Sequence, residues 1–542
     1  MSKRSATKTS APVKNRPRRS EPPPAPAVGA RSFTRGARNA ERRAARKRAP
    51  GAPQGLGQAV RSQLRRLPRA AWVCALVAFL NAASWSVISP PFENPDEPAH
   101  FAYVERLAQT GKLPASSAES FPSAEYTVLN DLHYSQVRYH SEQGTISSGA
   151  EQRQLERDLA KPLARSEEEG ATGVSASQPP LYYALETIPY GLASVGSMLD
   201  QVALMRLFSA LMGGLTALFA YLFVREALPG ARWAWTVGGL GVALAPLLGQ
   251  MSGAVNPDAM LFAVSAALFY CLARGFRRGI TPRLAVAIGA VLAVGVTTKL
   301  NFIGLVPGAI LGVLVLCATE ARRSRRSAYR CLALALGIGA SPILLYGIVN
   351  LLSDHPVGGA LSPLVAFSRR GGSILDEISY IWQFYLPRLP GMSHYFHGIL
   401  TTRAFWFDGL VGLYGWLDAT FPQWVYNFAL VPAALIAALL ARALFVYRGA
   451  LRARAIEIAV YIAITLGVLI LIGADDYLHN IPGEYDEPRY LLPMLVLWGA
   501  ALALAARGAG RRWGPIAGVA IVSLLLAHDI FSQLLVISRY YG

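Results

Sequence analysis

Charged side chains are scarce in this chain: Asp, Glu, Lys and Arg make up 16% of its 542 residues, against a hydrophobic share of 53%. Soluble domains carry about 25% charged residues, so this depletion excludes an ordinary soluble protein and implies a polytopic membrane protein. Cysteine is also rare. Cys74, Cys271, Cys317 and Cys331 all lie in or beside apolar runs, and no CxxC pair occurs; neither a disulfide framework nor a cysteine metal site is expected. Missing too are a Walker phosphate loop, a GxSxG elbow and an HExxH pair. ATP-driven transport and the commonest hydrolase chemistries therefore have no direct support, and any synthesis must draw on an activated substrate.

The formal charge of +19 is concentrated at one end. Residues 1–70 hold 19 Lys and Arg against Glu21 and Glu41, which leaves the remainder close to neutral. This stretch is rich in Pro, Ala, Arg and Ser, lacks apolar periodicity and cannot bury enough surface to offset its ordering entropy. It is expected to be a disordered cytoplasmic tail that anchors topology and touches anionic lipid. No aromatic or folded reader accompanies its arginines, so nucleic acid is not an expected partner.

Apolar stretches of about 17–25 residues, the length that spans a bilayer, begin near Ala71, Val202, Arg232, Pro257, Leu284, Phe302, Cys331, Tyr426, Ile456, Tyr490 and Gly514. A further candidate, Pro179 to Leu199, is interrupted by Glu186, Pro189 and two glycines. Read as an interfacial or re-entrant helix, it leaves every strongly basic loop on one side: 274–283, 322–330, 442–454 and 507–512. The positive-inside rule then predicts about eleven spans and a cytoplasmic amino terminus in the inner (plasma) membrane. Large external loops fall at about 90–201 and 353–424. The first is acidic, with 14 Asp and Glu against 7 Lys and Arg between Pro90 and Gln178.

Candidate chemistry gathers on that external side. Directly after the first span comes Pro90-Pro91-Phe92-Glu93-Asn94-Pro95-Asp96-Glu97-Pro98-Ala99-His100. Pro98 suits the first turn of a helix and Asp96 or Glu97 its cap, while Phe101, Val104, Leu107 and Ala108 form one apolar face. An amphipathic helix lying at the interface is expected. The segment around Gln178 and Tyr182, PPLYY, fits either an aromatic belt or a ligand site. Short polar breaks follow at Asn256-Pro257-Asp258, at Lys299 and at Asp486-Glu487-Pro488-Arg489-Tyr490. Ionisable groups at the edge of hydrocarbon are costly unless paired or hydrated, which makes them functional candidates. Lys299 and Arg489 suit phosphate, one as a point charge and the other as a planar fork. In the later loop, Trp406 within FWFDG suits either a sugar-stacking wall or a helix resting on the bilayer.

Taken in order, the acidic pair after the first span, PPLYY, VNPDA, TTKLN, FWFDG, GWLD and RYLLP resemble the bacterial membrane family catalogued as domain of unknown function 2142. The resemblance runs from about Ala71 to Ser538. That family is in turn similar to the GT-C glycosyltransferases, which take a sugar from a polyprenyl phosphate or pyrophosphate and attach it outside the cytoplasmic membrane. The resemblance implies an all-α, GT-C-like transmembrane domain over 71–542, with juxtamembrane helices in the first external loop. It also implies a polyprenyl-phosphate-linked donor, an envelope polysaccharide or lipid acceptor, and Asp96 as catalytic base with Glu97 beside it. His100, Gln178, Tyr182, Asn256, Asp258, Lys299, Trp406, Arg489 and Tyr490 are the expected substrate-binding residues. A divalent cation, magnesium or manganese, stays open, with no ligands assigned. Two other readings fit the same polar helix ends: a transporter or flippase of lipid-linked sugars, and a noncatalytic envelope-assembly protein.

Overall fold

The computed structural model describes residues 67–114, 119–144, 148–161, 171–352, 373–396, 402–479 and 487–542. The basic tail up to residue 66 lies outside this range, and with it the expectation of disorder there; so does Asp486.

Helices form where the apolar runs lie. Among the described residues nine are long and apolar enough to cross a bilayer: Arg69–Ile88, Met198–Ala227, Asp258–Arg278, Leu300–Ala321, Arg325–Leu345, Gln423–Val446, Ala455–Tyr477, Pro488–Gly508 and Gly510–Tyr541. Two of the eleven expected segments differ in form. The one beginning at Arg232 is a pair, Arg232–Ala243 and Pro246–Ser252, bent by 56°. Pro246 lacks an N–H and fits a first helical turn, so the second helix starts afresh there. The segment near Leu284 is the helix Pro282–Thr298, whose 17 residues reach about 26 Å against a hydrocarbon core of about 30 Å. The protein is thus an all-α polytopic membrane protein, with nine helices among the described residues long and apolar enough to span, or ten counting the bent pair.

Close backbone packing positions the helix ends. A Cβ on Gly238 would stand 2.8 Å from the Gly499 carbonyl oxygen, and one on Gly499 would stand 2.7 Å from that of Gly238. These two helices cross backbone to backbone, which larger side chains would forbid. Gly253, just after the bent pair, sits where a Cβ would be 2.6 Å from the Ala82 oxygen. The turn that follows it is thereby seated against the first span. Polar side chains tie the first span to the last: the Asp529 carboxylate accepts Asn81 Nδ2 at 3.3 Å and Trp85 Nε1 at 3.2 Å, and Gln533 Nε2 reaches Asn81 Oδ1 at 3.0 Å.

The first large loop has a core of its own. Phe92, Phe101, Tyr103, Val128, Tyr134, Leu155, Tyr183 and Tyr190 pack with Trp416 of the later loop and with the start of the second span at Met198, Val202 and Met205. Phe92 and Phe101 meet edge to face at 5.6 Å, a contact worth about 0.5–1.5 kcal/mol beyond burial. The expected juxtamembrane helix is Glu97–Thr110, with Pro98 in its first turn. Its polar side is covered as well as its apolar one: His100, Tyr103 and Glu105 are buried. It is embedded in the loop core and packs on the helix Leu181–Leu192. That second helix has 12 residues, about 18 Å long, too short to span.

Candidate functional site

Asp96 occupies the residue before the helix Glu97–Thr110, but it does not cap it. Its backbone is left-handed, φ 63° and ψ 4°, and its side chain makes no capping bond. Such a conformation costs a non-glycine residue about 1–3 kcal/mol and clusters at functional sites. The carboxylate turns instead to Arg489, whose Nη2 donates to Oδ2 at 2.7 Å. Asp96 is 27% exposed whereas Arg489 is 2% exposed, so the arginine holds one carboxylate oxygen from within and leaves the group accessible from outside. Burial pushes the Asp96 carboxyl up, but the Arg489 guanidinium, with Lys299 adding to it, outweighs burial and holds it below the usual carboxylate range.

Three helix ends bring the remaining charges together. Lys299, at the end of Pro282–Thr298, donates to Asp258 Oδ1 at 2.7 Å. Asp258 begins the helix Asp258–Arg278, and its Oδ2 lies 3.7 Å from Arg489 Nε. Glu487 Oε2 stands 3.0 Å from the same nitrogen. The Tyr490 ring lies 5.6 Å from Lys299 Nζ and 5.4 Å from the Arg489 guanidinium, within cation–π range of both. Asn256 fixes the turn below, donating to the Pro95 carbonyl at 3.2 Å and accepting the Asp258 amide at 2.9 Å. Two cations therefore face Asp96, Asp258 and Glu487 in one place.

His100 belongs to this group as a neutral imidazole. Burial pushes it down to about 3, against an upward pull from Asp96. Its Nδ1 lies 2.9 Å from the Tyr183 hydroxyl, and Tyr183 stacks on Tyr103 at 3.7 Å. It offers the site a hydrogen bond rather than a positive charge.

Glu97 faces away from Asp96 and is fully engaged. Oε1 accepts Arg206 Nε at 2.7 Å and the Val255 amide at 2.9 Å; Oε2 accepts Arg206 Nη2 at 2.5 Å and the Phe92 amide at 3.0 Å. All four of its acceptor positions are filled. Arg206 spends its remaining donors on the carbonyls of Ser86, Ser89 and Pro90 at 2.7–2.9 Å. The Glu97 carboxylate thus holds the structure around it and has no acceptor position left open. The pair clamps the exit of the first span to the residue preceding Asn256 and so sets Asp96 against Asp258.

The other expected residues are placed as follows. Gln178 accepts the Leu300 amide on its side-chain oxygen at 3.4 Å, which ties the loop to the turn after Lys299. Tyr182 points elsewhere: its hydroxyl bonds Ser209, which donates to Glu186. Trp406 donates to the Phe384 carbonyl at 2.7 Å and stacks on Tyr385. It is part of an aromatic cluster with Phe384 and Phe405, a position set by its indole N–H finding a buried acceptor. Among the described residues no group of three or more His, Cys, Asp or Glu is placed to hold a metal ion. The three carboxylates that converge are met by Lys299 and Arg489, which is a charge-paired cluster rather than an open cation cage.

Residues 79–498 match the family described as a predicted membrane protein, DUF2142. The chain belongs to that family. No curated protein matches it. Among solved structures, this DUF2142 protein is similar to the crystal structure of ArnT from Cupriavidus metallidurans in the apo state. The identity is 15% and the TM-score 0.44, over 86% of this chain and 72% of that one. It is also similar to the apo oligosaccharyltransferase of Archaeoglobus fulgidus, at 12% identity and a TM-score of 0.42, over 87% of this chain and 56% of that one. A structure of AglB from the same organism, in complex with an inhibitory peptide and a dolichol-phosphate, matches at 13% identity with the same TM-score and coverage. The chain spans just over half the length of the archaeal chain in each of these two structures.

Sequence reasoning on this DUF2142 chain missed Arg206, Tyr183 and the part played by Glu487. Arg206 carried a usable signal, as a lone arginine in an apolar run. Tyr183 did not: neighbouring helix positions differ by about 100° in direction, and nothing in PPLYY says which tyrosine faces His100.

Proposed function

We propose that this protein is an integral membrane glycosyltransferase that moves a sugar from a polyprenyl-phosphate donor to a hydroxyl of an envelope polysaccharide or lipid on the external face. The observation that carries this reading is the meeting of Asp96, left-handed and accessible, with Arg489, Asp258 and Lys299 where the spans end. An amphiphilic donor needs such a place: apolar surface for its chain, fixed cations for its phosphate, and a base beside them. The family resemblance read in the sequence points the same way.

In this reading the acceptor hydroxyl donates its hydrogen bond to the free side of the Asp96 carboxylate, within about 2.6–3.2 Å. Its oxygen attacks the anomeric carbon as the proton passes to Asp96. The bond from that carbon to the phosphate oxygen breaks, its electron pair stays on the lipid phosphate, and the configuration inverts. Arg489 and Lys299 meet the charge that grows on the leaving oxygen. Tyr183, stacked on Tyr103, fixes the His100 ring behind the base.

The test is turnover by purified protein in nanodiscs, supplied with a panel of polyprenyl-phosphate sugars and candidate acceptors, scored by released lipid phosphate. Wild type is expected to turn over. Asp96→Asn is expected to bind donor and lose at least about a hundredfold in rate, the size of a general-base contribution. Undiminished turnover in Asp96→Asn overturns Asp96 as base. Transfer of intact lipid-linked sugar between leaflets, without release of lipid phosphate, overturns the transferase in favour of a flippase.

A further inference from the structure

Arg489 is surrounded by more negative charge than a phosphate site can hold. Its Nη2 is bonded to Asp96 at 2.7 Å, while Glu487 and Asp258 stand 3.0 and 3.7 Å from its Nε. Lys299 is already bonded to Asp258. An entering phosphodiester brings a further negative charge to two cations that face three carboxylates. One carboxylate must yield.

The three are not equally able to. Asp96 is held below the usual carboxylate range, and Asp258 is fixed by Lys299. Glu487 is paired among the described residues with Arg489 Nε alone: it lies within ion-pair distance at 3.0 Å, yet that buried nitrogen has no aligned hydrogen-bond acceptor among the described residues. Burial, with Asp96 and Asp258 adding to it, lifts Glu487 to about 7 against the pull of Arg489 and Lys299. Groups on the neighbouring elements do not compete. His100 is neutral, Asp408 is turned to Arg403 at 3.3 Å, and Asp476 takes the Tyr380 hydroxyl.

We propose that Glu487 is the residue that surrenders Arg489 Nε to the donor phosphate, and that it does so by taking a proton from solvent. Arg489 Nε then donates to a phosphate oxygen, and the neutral Glu487 carboxyl stays beside the phosphate as a hydrogen-bond donor. This rests on the reading of Arg489 and Lys299 as the phosphate cations. The sign follows from linkage: the phosphodiester binds the protonated form better, so affinity rises as pH falls through the Glu487 value.

The experiment measures binding of undecaprenyl methyl phosphate, a diester whose single charge is constant from pH 6 to 8, to the full chain in nanodiscs. Wild type is expected to bind about tenfold more tightly at pH 6 than at pH 8, the ratio for one linked proton with a value near 7. Calorimetry at pH 7 in two buffers of different ionisation enthalpy is expected to show uptake of about half a proton per diester. Glu487→Gln is expected to bind with the tight, low-pH affinity at both pH values and to take up no proton. Its folding is checked by its melting temperature. Glu487→Asp, which keeps the carboxyl, is expected to keep a pH slope. Binding by wild type without a pH slope, or a wild-type slope preserved in Glu487→Gln, overturns the role of Glu487 and leaves the phosphate site standing. No diester binding by wild type at either pH overturns the phosphate site itself, and this inference with it.

Discussion

Asp96 and Glu97 are adjacent in the chain and grip different arginines: Asp96 holds Arg489 at 2.7 Å, and Glu97 holds Arg206 at 2.5 Å. The left-handed turn at Asp96 sends the two carboxylates to opposite sides. One is accessible and held by a single oxygen; the other is sealed in with every lone pair used. In the proposed reaction, two neighbouring acids are thereby divided between chemistry and architecture.

Substitutions at the two should therefore separate. Glu97→Gln and Arg206→Met each leave a buried charge unpaired, for which a loss of about 3–5 kcal/mol is usual. Thermal unfolding in detergent is expected to show a large loss for both and a much smaller one for Asp96→Asn. A Glu97→Gln protein as stable as wild type would contradict the clamp.

Lys299 and Asp258 should behave as a unit. Lys299→Met strips Asp258 of its partner and draws Arg489 toward it, so the donor KM is expected to rise at least about tenfold, equivalent to 1.4 kcal/mol. Adding Asp258→Asn is expected to restore melting temperature without restoring donor affinity. A double variant that binds donor as wild type does would exclude Lys299 from the phosphate site.

The rate at saturating donor should be flat from pH 8 down to about 5. Asp96 is held below the usual carboxylate range, so it is already ionised through that window and protonates only beneath it. A fall in kcat between pH 7 and 5 would show that some other group is the base.

Glu93 supplies a separate pH signature. It is 2% exposed, and neither carboxylate oxygen has a hydrogen-bond partner among the described residues. Burial, then Asp418, pushes it up to about 8. An acid raised in the folded state favours folding fully below its unfolded value, and that advantage is lost as pH rises through the folded one. Wild type is thus expected to lose stability between about pH 5 and 8, by up to roughly 4 kcal/mol for a shift of this size. Glu93→Gln should melt at nearly the same temperature across that range; an unchanged alkaline loss would rule Glu93 out as its source.

Much of this was legible in the sequence, and what was not has physical causes. Hydrophobic run length located the spans, because a bilayer admits few alternatives to a helix of that length. Charge placement grouped Asp96, Asp258, Lys299 and Arg489 before any geometry was known. Side-chain direction was illegible: a helical cap was expected of Asp96, and only its left-handed backbone aims it at Arg489. The Glu97–Arg206 partnership joins residues 109 positions apart, a separation no local pattern reports. The neutrality of His100 depends on burial inside the loop core, which an amphipathic reading placed at the membrane surface. Trp406 and Tyr182 went to other neighbours because each had a polar atom to satisfy.

The Arg206 clamp also bears on the order in which the protein assembles. An arginine within an inserting helix costs about 2.5–3.5 kcal/mol on translocation scales, and here the groups that repay it are the Glu97 carboxylate and the carbonyls of Ser86, Ser89 and Pro90, all of which precede it in the chain. Those groups have already left the ribosome when Arg206 is made, but they cannot be gathered until it arrives. Closure of the loop around this clamp therefore awaits the second span. A nascent chain stalled before Arg206 would display an unlatched acidic loop, and the folded state of that loop would report that the second helix is in place.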